Sequence, residues 1–534
     1  MKKQVFSTIF FVLVMTFSLS STGHRPVTAA AGTKRAITIN LASFPLSIDP
    51  INVISDAEHN ILCNLHEAVV TWQNGILSPA AARKWVVSNE GKTYTFYLKR
   101  NFWSNGDPVT ALDFERSWKR AISHENRVSA EAVTDIIYNA KAFRMGELKS
   151  IDEVGIRALD NETLQVDLVE PSSYFLSILT LPKFYPVHSK YVLGNQQEKE
   201  ECTPGFCSNG PFRIKEWDQK SYALLVPNTH YTGVTPVMEE VKFTFFPADT
   251  GLTLYMAGMI DLLESPPHTA FPDYSAESVQ VPTMSTGYIY LNLRRPPLNQ
   301  YKVRKALSLA INRELLIEKV PGLSAVPATG LIPPGISDGR SNTDFRASGG
   351  VLVDPAHGEK ALDLLYSAGY PGEDGMPDFD LLVVEGGVSE EIATIVADMW
   401  RINLGINVTL KRINWEGYKD LCTTGRFYTA RAGWEGDYPD PMTFLKLFHS
   451  QAFENFSAYA DSDYDRGLTL ARNTMELKKK YDLYHALEEK VVGDLAVIPL
   501  YFTTRQFLVS PALSKLSYTP GGYPLFQFAK KEEK

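Results

Sequence analysis

Apolar residues recur along this chain with two different periods, and the switches between them mark out its elements. Ile37, Ile39 and Leu41 alternate with polar neighbours, predicting a first strand, and Asp49-Pro50 then turns the chain. A helix is expected over 57–70. Tyr94, Phe96 and Leu98 share one face of a strand, and Ser104-Asn105-Gly106-Asp107 forms a tight turn. Thr110 followed by Asp113 reads as a capping box that opens a helix over 112–122. Strand-like runs follow at 212–214, 222–225 and 241–245, then the apolar segment Gly287-Tyr288-Ile289-Tyr290-Leu291. Val303, Ala306, Leu307, Ala310 and Ile311 trace the inner stripe of a helix beginning at Lys302.

The stretch from 322 to 375 is heavy in Gly, Pro and Asp and reads as loop. A βαβ unit comes next: a strand over 379–384, a helix over 389–404 with Ile392, Ile395, Val396 and Met399 inward, a stop at Gly405, and a second strand through Ile406, Val408 and Leu410. Such a crossover implies parallel strands covered by helices. Phe427, Thr429 and Arg431 then alternate with Tyr428, Ala430 and Ala432 as a short strand. Pro439 and Pro441 end it for want of a ladder donor, and a helix opens over 442–448. Asp437 thus falls just past the carboxyl end of a strand, where ligands bind in open α/β sheets. The alternative is a surface turn in which Asp437 or Asp440 caps the helix. A long helix over 474–495, a strand over 496–501 and a lysine-rich tail complete the chain.

Length and charge narrow the function. A chain of 534 residues has room for two to four domains. Its net charge of −8 argues against nucleic acid, which needs a basic surface. Lys2 and Lys3, an apolar run over 5–19 and Val27-Thr28-Ala29-Ala30-Ala31 read as a secretory signal peptide, too short for a membrane span. The exported chain is expected to start between Ala30 and Gly32, without a lipid anchor, since no Cys lies near the cleavage point. Cys63, Cys202, Cys207 and Cys422 allow three pairings, and a bridge between Cys202 and Cys207 would close a turn-like loop. The sequence holds no Gly-x-Ser-x-Gly elbow, His-Glu-x-x-His pair or phosphate loop, so neither enzyme nor cofactor or metal protein is expected, although a catalytic arrangement assembled only in space stays open.

Four stretches, in order, resemble the bacterial oligopeptide-binding proteins, the extracytoplasmic receptors of peptide-importing ABC transporters (solute-binding family 5). They are Thr95-Phe96-Tyr97-Leu98 running into the segment Trp103-Ser104-Asn105-Gly106-Asp107-Pro108-Val109-Thr110-Ala111, then Gly210-Pro211-Phe212-Arg213, then the helix from Arg304 to Arg313, and Arg431-Ala432-Gly433-Trp434-Glu435-Gly436-Asp437-Tyr438. The resemblance implies an α/β fold of the periplasmic binding protein type II class, with two lobes, a hinge and an extra domain. Lobe I takes 32–71, 201–285 and 505–534, domain II takes 72–200 and lobe III takes 286–504, with crossovers near 285 and 504. The implied function is a monomeric periplasmic receptor that captures short peptides between lobes and delivers them to an inner-membrane permease.

The resemblance also carries roles onto residues. Asp437 matches the anchor for a peptide's amino terminus, and Arg431 matches an arginine facing the C-terminal carboxylate, a task suited to its bidentate fork. Trp415 and Trp434 align with tryptophans near side-chain pockets, and Tyr438 borders the amine site. Gly433 and Ala432 leave room for a ligand backbone on the strand edge. Glu67 is a further contact on the helix of the first lobe. Core packing is the alternative for the aromatics, a salt bridge between lobes for Arg431, and a solvated helix face for Glu67. Ser389 stands where receptors for longer peptides can carry a histidine, so a cell-wall peptide is a candidate ligand. A receptor of the same fold for a metal chelate or haem is the rival reading.

Overall fold

The computed structural model describes residues 35–123, 131–195, 197, 203, 206–267, 274–340, 342–370 and 375–532. The expected leader and Cys202, and with it the Cys202–Cys207 closure, lie outside the described residues. Burial pushes the thiols of Cys63 and Cys422 up to about 12.

Two long strands, Ser278–Leu291 and Val497–Val509, pair antiparallel and carry the architecture. They are the middle of an eleven-stranded sheet. To one side lie Thr429–Glu435, Phe379–Val384 and Val408–Ile413; to the other lie Leu262–Glu264, Ala36–Asn40, Glu240–Thr244, Tyr222–Pro227 and Phe212–Asp218; the eleventh, Ala325–Pro327, pairs with Val497–Val509 off this path. Their pairing slips twice, first between Pro282 and Thr286, opposite Thr504 and Phe502, and again between Gly287 and Tyr288, opposite Tyr501 and Pro499. Pro282 offers no ladder donor, so the register breaks there at little cost.

The βαβ unit forms as its periodicity predicts. Phe379–Val384 and Val408–Ile413 are parallel and joined by the helix Gly387–Leu404, which ends on Gly405 with φ of 62°. Ile392, Val396 and Met399 are buried, and the indole of Trp400 donates to the Leu307 carbonyl at 2.9 Å. A separate four-stranded antiparallel sheet runs Ala82–Ser88, Thr93–Leu98, Thr163–Asp167, Ile156–Ala158, with the helix Ala111–Ile122 packed on it. Asp113 receives the Thr110 N–H at 2.8 Å and the Trp103 indole at 3.2 Å, so the Trp103-to-Ala111 motif is a scaffold of turn, cap and packed helix.

Local patterning misleads in three places. The first helix is Asp56–Leu65, not 57–70. The Gly210 N–H takes the Leu65 carbonyl at 2.9 Å, the chain turns extended at His66, and Val70–Gln73 is a strand. The stretch 322–375 contains the helix Gly358–Ser367, whose Ala361 and Leu365 are buried in the same core as Val303 and Leu307. The final strand continues from 501 to Val509, and an additional helix, Ser462–Asn473, precedes Leu477–Gly493.

Candidate ligand-binding cleft

The strand Thr429–Glu435 carries three of the predicted site residues, Arg431, Gly433 and Trp434. It pairs along its length with Ser278–Leu291, but with Phe379–Val384 only at Thr429 and Ala430. Beyond Ala430 its second edge carries no strand among the described residues; the Arg431 carbonyl there accepts the Tyr418 hydroxyl at 2.9 Å and the Ala432 carbonyl the Arg431 guanidinium, so what the edge offers a ligand lies mainly at Gly433 and beyond. Gly433 lies on this open edge, exposed and opposite Gly287.

A cavity of about 210 Å³ opens beside that edge, and four of the predicted residues, Trp415, Arg431, Gly433 and Trp434, line it. Ser389 lines it too, as do Tyr288, Tyr418 and Glu454. Trp415 is 58% exposed and stacks on Tyr418 at 5.7 Å, so it is a wall of the cavity rather than core. Trp434 is half-buried, and its indole nitrogen is buried without a partner.

Arg431 is 9% exposed. Its guanidinium donates to the Tyr501 hydroxyl and the Ala432 carbonyl and lies over the Tyr501 ring at 5.4 Å. Its Nε has no partner, and among the described residues no carboxylate lies within ion-pairing distance, which removes the inter-lobe salt bridge as its role here. Tyr501 reaches it by lying across Gly287, where a Cβ would stand 2.4 Å from the ring.

Asp437 sits outside that cavity, on the turn that follows the strand. Gly436 allows the turn to press on the next helix, since a Cβ there would meet the Thr443 methyl at 2.9 Å. The Asp437 N–H donates to Thr443 Oγ1 at 3.0 Å, and Lys446 Nζ donates to Asp437 Oδ2 at 2.8 Å. The Oδ1 oxygen accepts no hydrogen bond among the described residues. Asp437 is 27% and Lys446 33% exposed at the side chain. Asp440 lies just ahead of the helix Met442–Leu445, its Oδ1 accepting the Met442 N–H at 3.0 Å while Oδ2 pairs with buried Lys480 at 3.2 Å.

Other groups surround this turn. Desolvation lowers the Lys183 ammonium, and Asp437 partly opposes that. Desolvation, with Asp56 and Asp437 nearby, raises the Glu435 carboxyl, while Arg505 opposes this. Arg505 itself is fixed by both oxygens of Asp56 at 2.7 and 3.0 Å and by Glu264 at 3.1 Å. Tyr438 is 1% exposed, stacks on Tyr174 at 5.0 Å and carries the Lys446 ammonium 5.3 Å over its ring. Its packing role is evident. Glu67 lies beyond the first helix and is neither a solvated helix face nor an available ligand contact: Lys99 at 2.8 Å, Tyr231 at 3.0 Å and Asn101 at 3.3 Å occupy its carboxylate. Tyr501 and Glu454 carry no sequence signal, because each joins the site from a separate strand or loop, whereas Lys446 stands on the helix that follows the Asp437 turn.

Among the described residues no helix is long and apolar enough to cross a membrane, and no His, Cys, Asp and Glu cluster is placed to hold a metal ion. The profile of the bacterial extracellular solute-binding proteins, family 5 (middle), matches residues 77–455. The periplasmic murein peptide-binding protein MppA of Escherichia coli (strain K12) is 30% identical over 545 residues, covering 98% of this chain and 97% of its own. Among solved structures, an unliganded open form of a murein tripeptide-binding protein MppA matches with a TM-score of 0.81 at 28% identity, over 93% of this chain and 98% of the other. The Haemophilus influenzae oligopeptide-binding protein in complex with RPPGFSPFR matches with 0.63 at 26% identity, over 93% and 99%. With a periplasmic binding protein type II fold, a sheet edge left open beside a cavity and a family profile matched over most of its length, this chain belongs to the bacterial extracellular solute-binding proteins of family 5.

Proposed function

We propose that this protein is an exported, monomeric receptor that captures short peptides between two lobes and hands them to an inner-membrane ABC permease. The observation that carries the reading is the open edge of Thr429–Glu435, flanked by Arg431 in a cavity at one end and by Asp437 on the turn at the other. A zwitterionic peptide leaving water needs a cation for its carboxylate and an acid for its ammonium. Main-chain pairing along the edge supplies affinity independent of sequence. In this reading Asp437 Oδ1 takes the ammonium and Arg431 faces the carboxylate. Trp415 and Trp434 hold a side chain, Gly433 lets the ligand backbone approach, and Tyr438 supports the turn.

The lobes divide as lobe I (32–71, 201–285 and 505–534), domain II (72–200) and lobe III (286–504), hinged where the two long strands slip register. The higher similarity to an unliganded open form than to a peptide complex supports an open resting state that ligand closes. Binding without turnover is the expected chemistry.

Calorimetry with a short alanine peptide and its N-acetylated form tests the reading. The free peptide should bind and the acetylated one should lose roughly tenfold or more, because it brings no ammonium to Asp437, whose carboxylate then keeps only Lys446. Equal affinity of the two forms, or no peptide binding alongside tight binding of a chelate or haem, would overturn it.

A further inference from the structure

Two opposite charges face the same small cavity, and neither is paired with the other. Arg431 is nine-tenths buried on one wall, its Nε without a partner. Glu454 is half-buried on another wall, and among the described residues its carboxylate makes no hydrogen bond or ion pair. The backbone of Glu454 is nonetheless held in place, since its carbonyl accepts the Tyr290 hydroxyl at 3.1 Å and the Phe456 N–H at 2.8 Å. Tyr288, Trp415 and Trp434 line the same cavity.

A partly buried charge is stable only with a counter-charge or with water, and a self-contained protein would have paired these two across the gap. An occupant that satisfies both must bring an anion to Arg431 and a cation to Glu454, with an aliphatic stem against the aromatic rings. The C-terminal residue of a peptide with a basic side chain has that chemistry: its α-carboxylate meets Arg431 and its side-chain ammonium meets Glu454. We infer that this receptor selects peptides ending in a lysine-like residue, and that Glu454 is the specificity-determining group. This rests on the peptide-receptor reading above.

The test titrates the full protein with alanine peptides of two to five residues ending in Lys, norleucine or Ala. The Lys ending should bind about ten- to a hundredfold tighter than the norleucine ending of the same length, the worth of one charge-assisted hydrogen bond in a partly dry site. Glu454→Gln should shrink that preference to about threefold or less and leave the affinity for the norleucine and Ala endings in place, which also shows that the variant folds. Equal binding of all three endings by the natural protein, or a Lys preference that survives Glu454→Gln, overturns the inference and leaves the peptide reading standing. Failure of every peptide to bind overturns both.

Discussion

Arg431 and Asp437 sit at opposite ends of one short stretch of chain, and the fold treats them in opposite ways. Arg431 is buried in a cavity, held by a tyrosine hydroxyl and a carbonyl but given no anion. Asp437 is more open to solvent and already has a cation, Lys446, on one oxygen. A buried unpaired charge stores a demand for a partner, whereas a half-exposed paired one exchanges partners cheaply. The two ends of a ligand should therefore contribute differently: the carboxylate end through a new ion pair, the amine end through competition with a resident one.

The largest expected effect comes from removing the acid altogether. Asp437→Ala would remove the acid that pairs with Lys446, so that an incoming ammonium meets that cation without it. Peptide affinity should fall by on the order of 3 kcal/mol, roughly a hundredfold or more. Calorimetry is the measurement, and an unchanged Kd would move the amine anchor away from this turn and dissolve the contrast between the two ends.

Much of this was legible in the residues, and the limits have physical causes. The βαβ unit, the Thr110–Asp113 box and the stripe beginning at Val303 were readable because each is set by spacing within a single element. The strand-to-helix turn at Asp437 was readable from its two prolines. The burial of Asp440 was not, because its partner Lys480 arrives from Leu477–Gly493. The helix Gly358–Ser367 was hidden inside a Gly- and Pro-rich stretch, where tertiary burial of Ala361 and Leu365 outweighs local propensity. The resemblance likewise suggested Glu67 as a contact, and only the meeting of three separate segments reveals that its carboxylate is already occupied.

A second, smaller effect tests how the Arg431 end is built. Tyr501 reaches the guanidinium only because Gly287 has no side chain, with a Cβ there falling 2.4 Å from its ring. Gly287→Ala should cost about 1–3 kcal/mol of stability in denaturant unfolding, the usual penalty for overfilling a packed site. It should also weaken peptide binding as the displaced ring lets Arg431 turn. A fully stable variant with normal affinity would mean that Tyr501 does not position the cation.

The smallest effect has the opposite sign and probes the Asp437 end. If Lys446 is a stand-in for the ligand's ammonium, deleting its charge removes a competitor without touching the acid. Lys446→Met retains the aliphatic stem over the Tyr438 ring. A pair this exposed is worth about 0.5–1 kcal/mol, so peptides should bind roughly two- to fivefold tighter. The gain should fade in high salt, where screening already weakens the resident pair. N-acetylated peptides, which bring no ammonium to the turn, should show no gain at all. Weaker binding of the free peptide by Lys446→Met would instead make the lysine a ligand contact in its own right, and the two ends of the strand would then each present a cation.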